Sequence, residues 1–258
     1  MTEMQITDIS FWGVAVLVVL AGLATALLML VTRPMAHRLL KAGCVFLIHM
    51  LLLGGCLTFL CRLGSWWANV LWGLLMSAAV TALVLVKARE RRLQLLPAVG
   101  ASVLAGLAMG TVSLWACLRM DVGSGTFLAV MALTQVQLYA ALPPALQTYL
   151  SCLRHTDEHY LYLRANGATH LEALMPSIRR AFKASVLPLV KGWAAPLAVA
   201  PPLLLCGLLL TGSAPVAAVL VTVLTSLAML TATIVAVALL LWLADRRLFG
   251  NDVVDKRP

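Results

Sequence analysis

Charge is what this sequence has least of. Only 11% of its residues are Asp, Glu, Lys or Arg, against a hydrophobic share of 62%. A soluble domain carries about 25% charged residues. There is too little polar surface here to clothe a globule, so the broad class is integral membrane protein. Acids are scarcer than bases, 10 against 19. None of them falls in the apolar interior of a predicted span, which argues against an intramembrane carboxylate enzyme and a carboxylate-driven proton antiporter.

Catalytic signatures are missing too. No H-E-x-x-H motif, Ser-His-Asp set or G-x-x-x-x-G-K-[ST] phosphate cradle occurs, so the chain is not expected to hydrolyse ATP by itself. The six cysteines (Cys44, Cys56, Cys61, Cys117, Cys152 and Cys206) form no C-x-x-C pair and read as small apolar packing residues. A net charge of +9 raises the question of nucleic acid, but the bases sit in short clusters between apolar runs and not on one continuous face. The first ten residues, MTEMQITDIS, lack the positive n-region of a signal peptide, so the run behind them reads as a retained span.

What the sequence has in abundance is long apolar runs. A helix needs about 20 apolar residues to cross the hydrocarbon core. Seven stretches qualify, at 11–32, 39–61, 66–86, 93–118, 125–150, 186–211 and 215–243, predicting an all-α, seven-span protein with a single transmembrane domain over 1–258. With seven spans, 17 of the 19 basic residues fall in the loops 33–41, 87–92 and 151–192 and in the tail after 243; Arg62 and Arg119 are the exceptions. The positive-inside rule then puts the N-terminus outside, the C-terminus in the cytoplasm and the loop 151–185 on the cytoplasmic side of an inner (plasma) membrane.

That loop holds the most patterned polar stretch of the chain. Thr169 and Glu172 have the spacing of a capping box, in which each side chain satisfies a backbone N–H at a helix start. Gly167 suits a sharp turn just upstream. Leu171, Leu174, Met175, Ile178 and Phe182 then form one stripe of a helix, with Glu172, Arg179, Arg180 and Lys183 elsewhere. Pro176 inside the pattern predicts a kink or two short helices, 170–175 and 177–185. Such a helix has three readings: it lies on lipid headgroups, it caps the protein's own bundle, or it docks a cytoplasmic partner.

Gly167-Ala168-Thr169, Ala173, Ile178-Arg179, Lys183-Ala184 and Leu187-Pro188 resemble the cytoplasmic loop of the FetB-type ABC permeases, a metal-export family. Pro202, Gly207, Gly212 and Pro215 fall where that family has its own Pro and Gly. The chain departs from the family at Leu203-Leu204, Ala194, Val136-Gln137 and Val45 or Phe46, positions that could line a path. The resemblance implies that residues 164–185, with Gly167, Ala168, Thr169, Leu171, Glu172, Leu174, Met175, Ile178, Arg179 and Phe182, form the coupling segment gripped by a separate cytoplasmic ATPase. ATP would be bound by that partner and no cofactor by this chain. It also implies two permease copies, or a paired permease, around one path. A metal ion as cargo follows from resemblance alone.

Polar groups and helix breaks within the spans mark a candidate transport path. His49 lies in the second span, Gln135 and Tyr139 share a face of the fifth, and Pro143-Pro144, Pro188, Pro196, Pro201-Pro202, Gly192 and Gly207 interrupt the fifth and sixth. Each also reads as ordinary interhelical bonding or kinking. Cys152, His155 and His159 are weighed as a metal site, against a solvated extension of the fifth span. The expectation is the membrane subunit of an ATP-driven transporter. A secondary transporter or channel, and a non-transporting scaffold, are the alternatives.

Overall fold

The structure is a computed structural model that describes residues 15–16, 19, 22–23, 33–88, 93–118, 125–155, 157–194, 200–210 and 212–249. Among the described residues it is all-helical: α1 (Arg33–Leu63), α2 (Trp66–Lys87), a 3-10 turn (Leu93–Leu95), α3 (Leu96–Leu118), α4 (Gly125–His155), α5 (Asp157–Ala165), α6 (His170–Ala194), α7 (Ala200–Leu210) and α8 (Pro215–Phe249). Among the described residues, five helical stretches are long and apolar enough to cross a membrane: Lys41–Leu63, Trp66–Lys87, Leu96–Leu118, Gly125–Leu153 and Pro215–Leu248. The predicted first span, 11–32, lies almost wholly outside the described residues. The predicted sixth is divided between the end of α6 and α7, with 195–199, including Pro196, outside them.

The bundle is built around α3, α4 and α8. Lipid offers no hydrophobic drive for helices to associate, so close backbone approach and van der Waals contact must hold them together. α3 packs most extensively on α8, and small residues make the seam. A Cβ added at Gly106 would stand 2.9 Å from the Ala236 methyl and 2.8 Å from Leu138. One turn on, a Cβ at Gly110 would meet Thr134 at 2.7 Å and the Ala232 methyl at 3.3 Å. Gly106 and Gly110 thus let α3 approach α4 and α8 at once. Around this seam Val99, Val103, Leu138, Leu142, Leu146, Val237 and Leu240 form the buried core.

Buried hydroxyls are absorbed locally, as a water-free interior demands. Ser77, Thr81, Thr111, Thr134 and Thr222 each donate to the carbonyl four residues back in their own helix, at 2.7–2.8 Å. Ser185 instead reaches across from α6 to the Ala141 carbonyl of α4, 2.9 Å away. Pro143 and Pro144 lie just beyond, inside α4, and deprive the Tyr139 and Ala140 carbonyls of their helical N–H donors. The Ser185 hydroxyl joins α6 to α4 next to this proline step.

α6 narrows one expectation. Of the kink or two short helices expected at Pro176, the two-helix alternative is excluded, since one helix runs from His170 to Ala194 through both Pro176 and Pro188. Pro176 and Glu172 are both exposed, so the carbonyl this proline leaves without a donor lies on the open side of the helix. The predicted loop 151–185 is consequently mostly helix, made of the end of α4, all of α5 and two-thirds of α6.

The polar ends of several helices meet at one pole. Gln147 of α4 donates to the Lys87 carbonyl at the end of α2, 2.7 Å away. His170, which begins α6, meets Asp245 near the end of α8. The opposite pole brings Gly125, at the start of α4, near Cys61 at the end of α1.

Candidate functional site

The turn between α5 and α6 is built by two end-signals placed back to back. Gly167 adopts φ +86°, a conformation that a Cβ would strain. Its N–H donates to the Arg164 carbonyl at 3.1 Å and that of Ala168 donates to Leu163 at 3.0 Å, the paired bonds of a Schellman stop. The next residue starts α6. The Thr169 N–H donates to Glu172 Oε2 at 2.8 Å, and the Glu172 N–H to Thr169 Oγ1 at 3.4 Å. Both halves of the expected capping box are present. The Thr169 backbone N–H, with help from its hydroxyl, holds the Glu172 carboxyl below the usual glutamate range. With one helix stopped and the next capped within a few residues, the turn is a stiff corner.

Packing fixes which side of α6 is open. Its inner face carries Ala173, Leu174, Ser177, Ala181 and Ser185, all buried, with Leu174 only 2% exposed. Ile178 and Phe182 pack beside them on the core around Tyr149 and Leu146. Leu171, by contrast, is 57% exposed. Glu172, Arg179, Arg180 and Lys183 are exposed and Met175 is intermediate. The predicted stripe is therefore divided. Leu174, Ile178 and Phe182 cap the chain's own bundle, while Leu171 remains on the open side with the charged residues. Gly167 and Thr169 are exposed at the corner, and Ala168 is half-buried there.

A polar cluster that sequence reasoning did not single out ties this corner to the bundle. The His170 imidazole lies with Nε2 at 3.1 and 3.2 Å from the two Asp245 oxygens. The Tyr149 hydroxyl donates to the same carboxylate at 3.2 Å. On the other edge of the ring, the Tyr160 hydroxyl stands 2.8 Å from His170 Nδ1. Four helices meet here: α4 through Tyr149, α5 through Tyr160, α6 through His170 and α8 through Asp245. Asp245 stands only two positions past the predicted seventh span, beside Arg246 and Arg247, where it reads as part of a charged tail. His170 and Asp245 are 75 positions apart, and no local spacing links them.

Of the predicted path residues, Gln135 and Tyr139 share the α4 face turned toward α2. The Gln135 amide donates to the Gly73 carbonyl at 2.9 Å and to Ser77 Oγ at 3.3 Å. Tyr139 packs on the core with the Lys87 ammonium 4.4 Å over its ring. His49 is exposed on α1, its Nδ1 2.7 Å from the Val45 carbonyl of its own helix. Gly207 is exposed on α7, and among the described residues no atom lies within 4 Å of where a Cβ would stand. Pro202 also lies in α7, its side chain outside the description, as are those of His155 and His159. Among the described residues no three His, Cys, Asp or Glu gather where a metal ion could be held.

The fold and its paired poles define an all-α polytopic membrane protein. The chain belongs to the uncharacterised protein family UPF0014, whose model matches residues 11–249. No curated protein and no solved structure matches it.

Proposed function

We propose that this protein is the membrane-spanning subunit of an ATP-driven (ABC) transporter, energised by a separate cytoplasmic ATPase that grips the α5–α6 corner. The observation that carries the reading is the two-sided character of α6. It is a capped helix, packed inward on α4 and α8, that continues without a break into the predicted sixth span. A force applied to the open side at Leu171, Glu172 and Arg179 would be delivered by Leu174, Ile178 and Phe182 to the core. Helix-to-helix packing transmits such displacement because the interior is dense and resists compression.

The basic residues support the sidedness. On this reading the pole carrying Lys87, Arg164, Arg179, Arg180, Lys183 and Arg246 faces the cytoplasm of an inner (plasma) membrane, with the N-terminus outside. The missing phosphate cradle assigns ATP to the partner. A second copy, or a different permease, completes the path, and the lipid bilayer covers the rest. The cargo is a metal ion by family resemblance.

The test is co-purification in mild detergent with an ATPase sought in the neighbouring reading frame, followed by ATPase assays in proteoliposomes across metals and small organic solutes. A stoichiometric complex whose ATPase activity is stimulated by a transported solute supports the reading. Solute flux without any ATPase would make the chain a secondary transporter or channel. A stable chain with neither flux nor partner would make it a scaffold.

A further inference from the structure

Trp242 and Arg246 form a cation–ring pair on the open side of α8. The guanidinium stands 3.9 Å from the ring centroid, and both side chains are exposed, the tryptophan by 49%. A basic residue in the last turn of a helix is explained by the free carbonyls it faces. Its seat on a tryptophan is not. Among the described residues the other cation–ring contact is Lys87 on Tyr139, and there the ring packs on the core. Trp66 and Trp67, which begin α2 at the opposite pole, stack on each other instead.

α8 changes character at this pair. Its long apolar run gives way to Asp245, Arg246 and Arg247. Deeper in the membrane, Leu227, Ile234 and Val235 are exposed on the same side of the helix as Trp242. Trp242 therefore sits where hydrocarbon meets headgroups, the depth that tryptophan favours. Asp245 does not neutralise the arginine. Its carboxylate is only 18% exposed and is turned inward onto Tyr149 and His170. Among the described residues Arg246 makes no hydrogen bond or ion pair, so its N–H groups are open to an anion from outside.

We propose that Trp242 and Arg246 form a binding site for an anionic phospholipid, with its phosphodiester on the guanidinium and an acyl chain along the exposed α8 stripe. Arginine suits this task because its planar fork can meet two phosphate oxygens at once. The ring holds the long side chain in place beforehand, which lowers the entropy lost on binding. A zwitterionic lipid brings a choline cation, which competes with the guanidinium for the ring. Charge also decides between lipid and a second copy of the chain. This pole exposes Lys87, Arg164 and Arg247, and among the described side chains the exposed acid is Glu172, already bonded to the Thr169 N–H. A second copy would meet the pair with charge of the same sign, whereas an anionic leaflet supplies the opposite one. The site rests on the membrane-spanning class alone and holds whether or not an ATPase docks at the α5–α6 corner.

Native mass spectrometry of the full-length chain in mild detergent tests it, with phosphatidylglycerol and phosphatidylcholine of the same acyl chains added in competition. Wild type is expected to bind the first phosphatidylglycerol about tenfold more tightly than phosphatidylcholine. Arg246→Gln should abolish that preference, and Trp242→Leu should weaken it about threefold. Arg246→Lys keeps the charge at the helix end and gives up the planar fork, so it should also weaken the preference about threefold, and it serves in place of Arg246→Gln if that variant is unstable. Lys183→Gln removes the same charge away from the pair and should leave the preference unchanged, as should an excess of inorganic phosphate. A wild-type chain with no preference, a preference that survives Arg246→Gln or is unaltered in Trp242→Leu, an equal loss in Lys183→Gln, or displacement by inorganic phosphate would overturn the site. A dimer fraction that falls in Arg246→Gln while lipid binding stays the same would overturn it too, because the occupant would then be a second copy.

Discussion

α1 and α3 are read alike in the sequence and packed in opposite ways. Both are apolar, both span the hydrocarbon thickness, and both carry three glycines: Gly43, Gly54 and Gly55 in α1, and Gly100, Gly106 and Gly110 in α3. In α3, Gly106 and Gly110 lie one turn apart against Ala232, Ala236 and Thr134 of neighbouring helices. Among the described residues, no atom of another part of the chain lies within 4 Å of where a Cβ at any α1 glycine would stand. Among them too, only 6% of its apolar window is buried, against 39% for α3. Hydropathy records that a helix prefers lipid to water. It does not record which helix its neighbours will be, because a leucine is as content against lipid as against protein. What separates the two is complementarity of small residues across the seam, and that is written in the partner helix as much as in the helix itself.

Substitutions at the glycines sharpen this contrast most. Gly110→Leu would drive a side chain into Thr134 and Ala232 and should cost about 3 kcal/mol or more, enough to lose the folded monomer in detergent by fluorescence size-exclusion. Gly54→Leu in α1 should leave the melting temperature of the chain unchanged. Equal damage at both sites would mean that α1 is packed after all.

The same comparison can be made within α6. Leu174→Asp places a carboxylate at a position only 2% exposed and should destabilise the fold by about 3 kcal/mol or more. Leu171→Asp, three residues earlier on the open side, should change the melting temperature little. A smaller effect is expected at the α2–α4 seam. Gln135→Leu removes the α4 donor to the Gly73 carbonyl, leaving the Ser77 hydroxyl on it, and should cost about 0.6–1.7 kcal/mol by chemical denaturation in micelles, the range for hydrogen bonds between membrane helices.

Smallest of all is the cap. Thr169→Ala should loosen only the first turn of α6, visible as faster amide exchange at 170–173 with the core unaffected. Its contribution has a pH sign. Because the Glu172 carboxyl titrates below its ordinary range in the folded chain, the capping bond is complete above that ordinary range. It is lost as pH falls through the lowered value. The corner should therefore fray only on strong acidification in the wild type, and Glu172→Gln should abolish that dependence.

How much of this could be read beforehand varies with the range of the interaction. Predicted spans 66–86 and 215–243 correspond to Trp66–Lys87 and Pro215–Phe249, because an apolar run records its own preference for lipid. The capping box was legible for the same reason, since Thr169 and Glu172 are three residues apart and satisfy each other. The open face of α6 was only half legible. The apolar stripe Leu171–Leu174–Met175–Ile178–Phe182 named one side of the helix, but the buried side is centred on the small residues Ser177, Ala181 and Ser185. Close packing on α4 admits small side chains, so Ser177, Ala181 and Ser185 are buried beside Leu174 although they are not the hydrophobic positions of the stripe. The His170–Asp245 pair was invisible, since each residue alone has an ordinary surface explanation. The unbroken course of α6 through Pro176 also depends on context, namely that the carbonyl left without a donor lies on the open side.

The measurement that bears most directly on the central claim is a paired co-purification of the chain with the proposed cytoplasmic ATPase, using Leu171→Asp and wild type at matched folding. The account predicts a stoichiometric complex for wild type and its loss for Leu171→Asp while the variant keeps its melting temperature. A complex that survives Leu171→Asp intact, or a wild-type chain that binds no ATPase in its functioning assembly, would contradict it.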